Sequence, residues 1–130
     1  MTPEQRIKRE ILTRASEAHW EPFTLPELTA KNIDDAYDVL MDECGSTVQD
    51  EEMEFRGGGV ITDIQPKLNY HFPSESHAIK LQDGGWVGWT FYYGGGRHDD
   101  PEAVDWMEYA YEVDMTEETK VVQVFKKVEA

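Results

Sequence analysis

Most of the features that announce a function are missing from this sequence. It has one cysteine, Cys44, which rules out an internal disulfide and any paired C-x-x-C metal or redox spacing. No apolar run comes near the roughly 20 residues that span a bilayer, and the negative charge balance would repel anionic lipid. The opening Met1-Thr2-Pro3-Glu4-Gln5-Arg6 lacks the basic-then-apolar pattern of a secretory leader. These absences point to a cytoplasmic protein with no membrane role. Bases are scarce as well: 12 Lys and Arg against 27 Asp and Glu leave a formal net charge of -15. Without a basic groove the chain cannot neutralise phosphates, so direct nucleic-acid binding is not expected. There is no H-E-x-x-H, no G-x-S-x-G elbow and no phosphate-loop register.

What is present suffices for a folded domain. The chain has 130 residues, 39% of them hydrophobic and 12% aromatic, which suits one core and is too short for two comfortable ones. A single α+β domain over residues 1–130 is expected. The charge is distributed unevenly: +1 over residues 1–19, -9 over 20–56, 0 over 57–97, -9 over 98–119 and +2 over 120–130. Two acidic blocks thus flank a neutral middle. They serve either as a well-solvated surface or as a face for a basic partner.

Local patterns divide the chain into elements. Thr2-Pro3-Glu4-Gln5 has the composition of a helix start, and Ile7, Ile11, Leu12 and Ala15 follow at helical spacing, to an end near Ala18. Trp20 to Pro26 is broken by two prolines, with Thr24 and Glu27 able to cap a short turn. From Asn32, the stripe Ile33, Ala36, Tyr37, Leu40, Met41 and Cys44 marks a second helix, with Gly45 as its stop. Val48, Met53 and Phe55 among polar residues suggest strands from Thr47 onward, and Gly57-Gly58-Gly59 precedes the apolar pair Val60-Ile61. Further strands are expected at Lys67–Phe72, at His77–Leu81 after a turn at Pro73-Ser74-Glu75-Ser76, and at Trp86–Tyr93 after the hairpin turn Asp83-Gly84-Gly85. Pro101 opens a helix of about ten residues, and Tyr111–Met115 with Val121–Val128 form a terminal hairpin. The expected architecture is two N-terminal helices, an antiparallel sheet of about five to six strands, and one short helix before a C-terminal β-hairpin.

Few residues suggest chemistry. Cys44 closes the apolar stripe of its helix, where an inert thiol belongs, and Ser74-Glu75-Ser76-His77 has no nucleophile setting. His98, Asp99 and Asp100, with Glu102 nearby and His71 or His77 brought close by the sheet, have the donor types for a divalent ion. Asp99 and Asp100 are equally explained as caps before Pro101, so no metal or other cofactor is expected. The glycine runs at 57–59 and 94–96 fit tight turns and bulges.

Two sets of residues stand out for binding. Trp86, Trp89, Tyr92 and Tyr93, with Trp106 one helix later, put rings on both faces of one strand. Some of them would line a groove, unless the strand is buried on both sides. Asp34, Asp35, Asp38, Asp42 and Glu43 lie on the outward side of the second helix, and Glu102 and Asp105 on that of the third.

The stretch from Trp89 through Gly94-Gly95-Gly96-Arg97-His98-Asp99-Asp100-Pro101 to Trp106-Met107-Glu108 resembles a segment of small uncharacterised proteins of bacteria and of their phages or plasmids. The resemblance covers about a fifth of the chain and implies an origin without implying an activity. With it, the expectation is a non-enzymatic module whose acidic face binds a basic or nucleic-acid-binding protein, by imitating nucleic-acid charge and so inhibiting a host defence protein. The alternative is a small-molecule or metal-binding protein, enzymatic or not, with its site between Trp86–Tyr93 and the loop Gly94–Asp100. A third is a structural subunit whose rings form an oligomer contact.

Overall fold

The computed structural model describes residues 1–18, 23–69, 71–94 and 100–129. Its first helix, α1 (Pro3–Ala18), begins with a reciprocal cap: the Gln5 amide donates to Thr2 Oγ1 at 3.2 Å and the Thr2 amide to Gln5 Oε1 at 3.0 Å. Ile7, Ile11, Leu12 and Ala15 are fully buried along one side. The expected turn after Thr24 is absent, since residues 23–29 carry no regular structure. Thr29 and Asn32 then exchange side-chain to backbone bonds of 2.7 and 3.3 Å, which shape the entry to α2 (Ile33–Glu43).

Gly45 does not end the helical region. It opens α3 (Gly45–Arg56), where strands were expected. The reason lies in the spacing: Val48 has opposite strand parity to Met53 and Phe55, whereas Val48 and Phe55, seven residues apart, fall on one side of a helix. Both are buried there and Met53 is exposed.

The sheet is a four-stranded antiparallel meander in sequence order, β1 (Val60–Thr62), β2 (Ser74–Lys80), β3 (Trp86–Tyr92) and β4 (Tyr111–Val113). Ser74–Ser76 belong to β2 rather than to a turn, with Ser74 opposite Tyr92. The β2–β3 turn holds Gly84 at a φ of 92°, and Leu81 and Gly85 close it with a 2.8 Å bond. Besides those replaced by α3, two further expected strands are missing among the described residues. Residues 63–69 and 71–73 cross the outer face irregularly, with the Ser76 hydroxyl donating to Ile64 O and the Lys67 amide to Thr90 Oγ1; Tyr70 lies outside the described residues. Residues 121–128 carry no strand, so the terminal hairpin does not form; Thr116-Glu117-Glu118-Thr119 offers none of the Gly, Asn, Asp or Pro that set tight turns. The ten-residue helix is also reduced, to one 3-10 turn at Pro101–Ala103. Val104 turns extended after it, and Trp106 and Met107 then drop into the core.

The class is therefore α+β, with the helices against one sheet face. Ile7, Ile11 and Leu12 from α1, Ile33 and Tyr37 from α2, Val48 and Phe55 from α3, and Val87 and Trp89 from β3 share one apolar cluster with Trp106 and Met107. Glu10, itself buried, joins α1 to the turn between β2 and β3 by accepting the Gln82 amide at 2.8 Å, and accepts Arg14 Nε of its own helix at 2.9 Å. A buried carboxylate needs such partners, since an unpaired one would lose its solvation uncompensated.

Candidate functional site

The residues singled out in the sequence separate into three places. Trp89, Tyr92 and Trp106 are buried and do not form a binding surface. Trp89 is completely enclosed, its Nε1 donates to Arg56 O at 2.9 Å, and its ring lies 5.0 Å from that of Phe55 and 5.8 Å from that of Trp106. The helices on one side and the 63–73 segment on the other supply the two-sided cover that excess aromatics on a strand require. Trp86 is half-buried on the outer face, and Tyr93 is 41% exposed and stacks on Phe91.

The acidic residues behave differently. Asp34, Asp35, Asp38, Asp42 and Glu43 are all exposed along α2, turned out by the same period that buries Ile33 and Tyr37. Asp34 is also a structural residue: Lys8 reaches it at 3.0 Å and Gln5 at 3.2 Å, and these bonds hold its carboxyl below its ordinary pKa. The other four have no salt-bridge partner among the described residues. Like charges four residues apart, as in 34/38 and 38/42, oppose helix formation by about 0.2–0.5 kcal/mol each. The helix carries this because its buried stripe outweighs it.

Glu102 and Asp105 do not project from a third helix as expected. They line an open depression of about 350 Å³ together with Glu4 from α1 and Glu52 from α3, floored by Trp106 and Met107. A smaller hollow of about 120 Å³ beside it shares Glu52 and Glu102 and adds Arg56. Burial pushes the Glu52 carboxyl above its ordinary value, against the neighbouring Tyr37, Arg56 and Lys8. Tyr37 Oη is enclosed near Glu52 without closing a well-formed hydrogen bond, and burial followed by the Glu52 charge pushes its phenol up. The exposed Glu108 carboxyl is raised for a different reason, first by sharing a hydrogen bond with Asp105 and then by the Asp105 charge. Carboxylates are crowded here. Lys8, bound to both Glu4 at 3.4 Å and Asp34, connects the depression to the α2 face. Arg56 is already engaged, with its guanidinium 4.7 Å over the Phe91 ring and a bond to Tyr92 O.

Glu4 and Glu52 were not singled out in the sequence. Glu52 fell in a stretch assigned to strands, and only the helical pairing of Val48 with Phe55 would have turned it toward Glu102.

The remaining chemistry is sparse. Ser76 and His77 point to opposite sheet faces, and His77 bonds to Gly58 O at 2.7 Å and to Glu75 Oε1 at 2.9 Å, so the two share no nucleophile geometry. Cys44 is half-buried and unpaired. Asp100 is exposed, while His98 and Asp99 lie outside the described residues. Among the described residues no group of three or more His, Cys, Asp or Glu is placed to hold a metal ion, and no helix is long and apolar enough to cross a membrane. No protein-family model, curated protein or solved structure matches the chain.

Proposed function

We propose that the protein is a non-enzymatic binding module whose acidic side receives a basic protein partner. The observation that carries this is the run of exposed carboxylates Asp35, Asp38 and Asp42 on α2, which have no salt-bridge partner among the described residues, together with Glu52, Glu102, Asp105 and the Lys8-paired Glu4 gathered around the depression. Lys and Arg side chains would meet exposed charge along α2 and, at the open depression, the half-buried Glu52 beside exposed Glu102 and Asp105. The partner class favoured by such a surface is a nucleic-acid-binding protein, engaged through the patch it uses for phosphates. If the kinship with phage or plasmid proteins holds, inhibition of a host defence protein is the natural outcome. The small-molecule alternative would have to rest on Trp86 and Tyr93, since Trp89, Tyr92 and Trp106 are core residues, and most of its loop lies outside the described residues.

The test is capture of partners by the tagged protein at low and high salt, beside an Asp35→Asn/Asp38→Asn/Asp42→Asn variant, with hits confirmed by calorimetry. Asp34 is spared because it ties α1 to α2. A basic partner that binds at low salt, weakens at high salt and is lost with the variant supports the proposal. Binding that ignores both salt and charge overturns it.

A further inference from the structure

The C-terminal segment after β4 is made for a strand and pairs with none among the described residues. Lys120-Val121-Val122-Gln123-Val124-Phe125-Lys126-Lys127-Val128 is rich in β-branched and aromatic residues, yet it lies extended with Val121 100% and Phe125 88% exposed. Five such apolar side chains in nine residues exceed the scattered exposure normal on a surface.

Its complement is on the same molecule. β4 ends the sheet, so one of its edges is unpaired among the described residues. The outer sheet face next to it holds a groove of about 300 Å³ with a mixed lining, Val60, Trp86, Val113 and Met115 beside Asp63 and Asp114. β4 carries Glu112, which also meets Arg6 at 3.7 Å, and the chain just after it carries Asp114, Glu117 and Glu118, whereas the arm carries Lys120, Lys126 and Lys127. Antiparallel pairing would set these opposite charges across from one another. The chain does not fold back to make that pairing itself, because Thr116 to Thr119 lacks tight-turn residues. A connection that resists reversal favours delivery of the strand to another molecule.

We propose that residues 120–128 form an exchange arm that adds to β4 of a second copy, each copy giving its arm to the other in a closed two-fold dimer. Either strand alternation brings apolar groups to the outer sheet face beside β4, Val122 and Val124 in one case or Val121 and Phe125 in the other. The acidic depression lies against α1 and α3, so this assembly and the acidic reading stand or fall separately.

The experiment uses the full chain. Light scattering over a concentration series is expected to give twice the 15.0 kDa chain mass, and hydrogen exchange to show amides of 121–126 and 111–113 protected together, with protection fading on dilution. A Val122→Pro/Gln123→Pro variant removes two adjacent donors that point to opposite sides of the strand, so one falls on the ladder in either register. It is expected to halve the mass while leaving the near-ultraviolet signal of buried Trp89 intact. A monomer at all concentrations overturns the proposal, including one whose arm is protected in its own hairpin. So does a dimer that survives the prolines, or a mass that climbs without closing.

Discussion

Along β3, Val87, Trp89 and Phe91 face the helices, while Trp86, Gly88, Thr90 and Tyr92 face the other way. The inner set is packed by three helices and needs no polar help beyond the Trp89 bond to Arg56 O. The outer set is covered by irregular chain, and its cover is held by specific bonds, Lys67 to Thr90 and Ile64 to Ser76. At Gly88 the cover is a ring: a Cβ there would lie 2.5 Å from Tyr111. One alternating strand therefore supports two kinds of interior, one held by apolar volume and one by fitted contacts.

The largest effect should come from emptying the inner side. Trp89→Ala removes the biggest enclosed side chain and leaves Arg56 O without its donor, and should lose about 3–5 kcal/mol in urea unfolding. Next is Gly88→Ala, whose new methyl meets Tyr111 ring atoms at 2.5 and 2.9 Å; a loss of about 1–3 kcal/mol is expected. Combining it with Tyr111→Ala should return part of that loss, and a double-mutant cycle showing no coupling would remove the fitted-ring explanation. Trp86→Ala, at a half-exposed site, should lose less than about 1.5 kcal/mol. If it matched Trp89→Ala, the contrast between the faces would fail.

The smallest effect concerns the turn joining β2 to β3. Asp83 accepts from Arg6 and Arg9 of α1 and from the Gly85 amide, and these bonds hold its carboxyl below its ordinary value. A depressed carboxylate stabilises the fold above the unfolded value near 4 and loses that contribution as pH falls through the folded value. Asp83→Asn should flatten the acid limb of a stability profile by a few tenths of a kcal/mol, since the pair is partly solvated.

The sequence made the inner side legible more readily than the outer. The Thr2/Gln5 cap, the apolar stripes of α1 and α2 and the Asp83-Gly84-Gly85 turn are local signals, and each lies where its pattern puts it. α3 was hidden because Val48, Met53 and Phe55 look strand-like one at a time and helical only in register. Trp106 gave no sign of its depth, since an extended Val104 rather than a helix face delivers it. The depression draws Glu4, Glu52, Glu102 and Asp105 from three separated stretches of chain, and no local pattern foretells such a meeting.

The bonds from α1 to the β2–β3 turn also bear on the order of folding. Every strand pairing joins sequence neighbours, so the meander closes short loops first. Glu10 meets Gln82 across 72 residues and Arg6 meets Asp83 across 77. Closing so long a loop costs chain entropy, and the contacts offset that cost once the hairpin offers a fixed target. On that ordering the contact of α1 with the turn forms late, and Glu10→Gln is expected to raise the unfolding rate more than it slows folding in stopped-flow measurements.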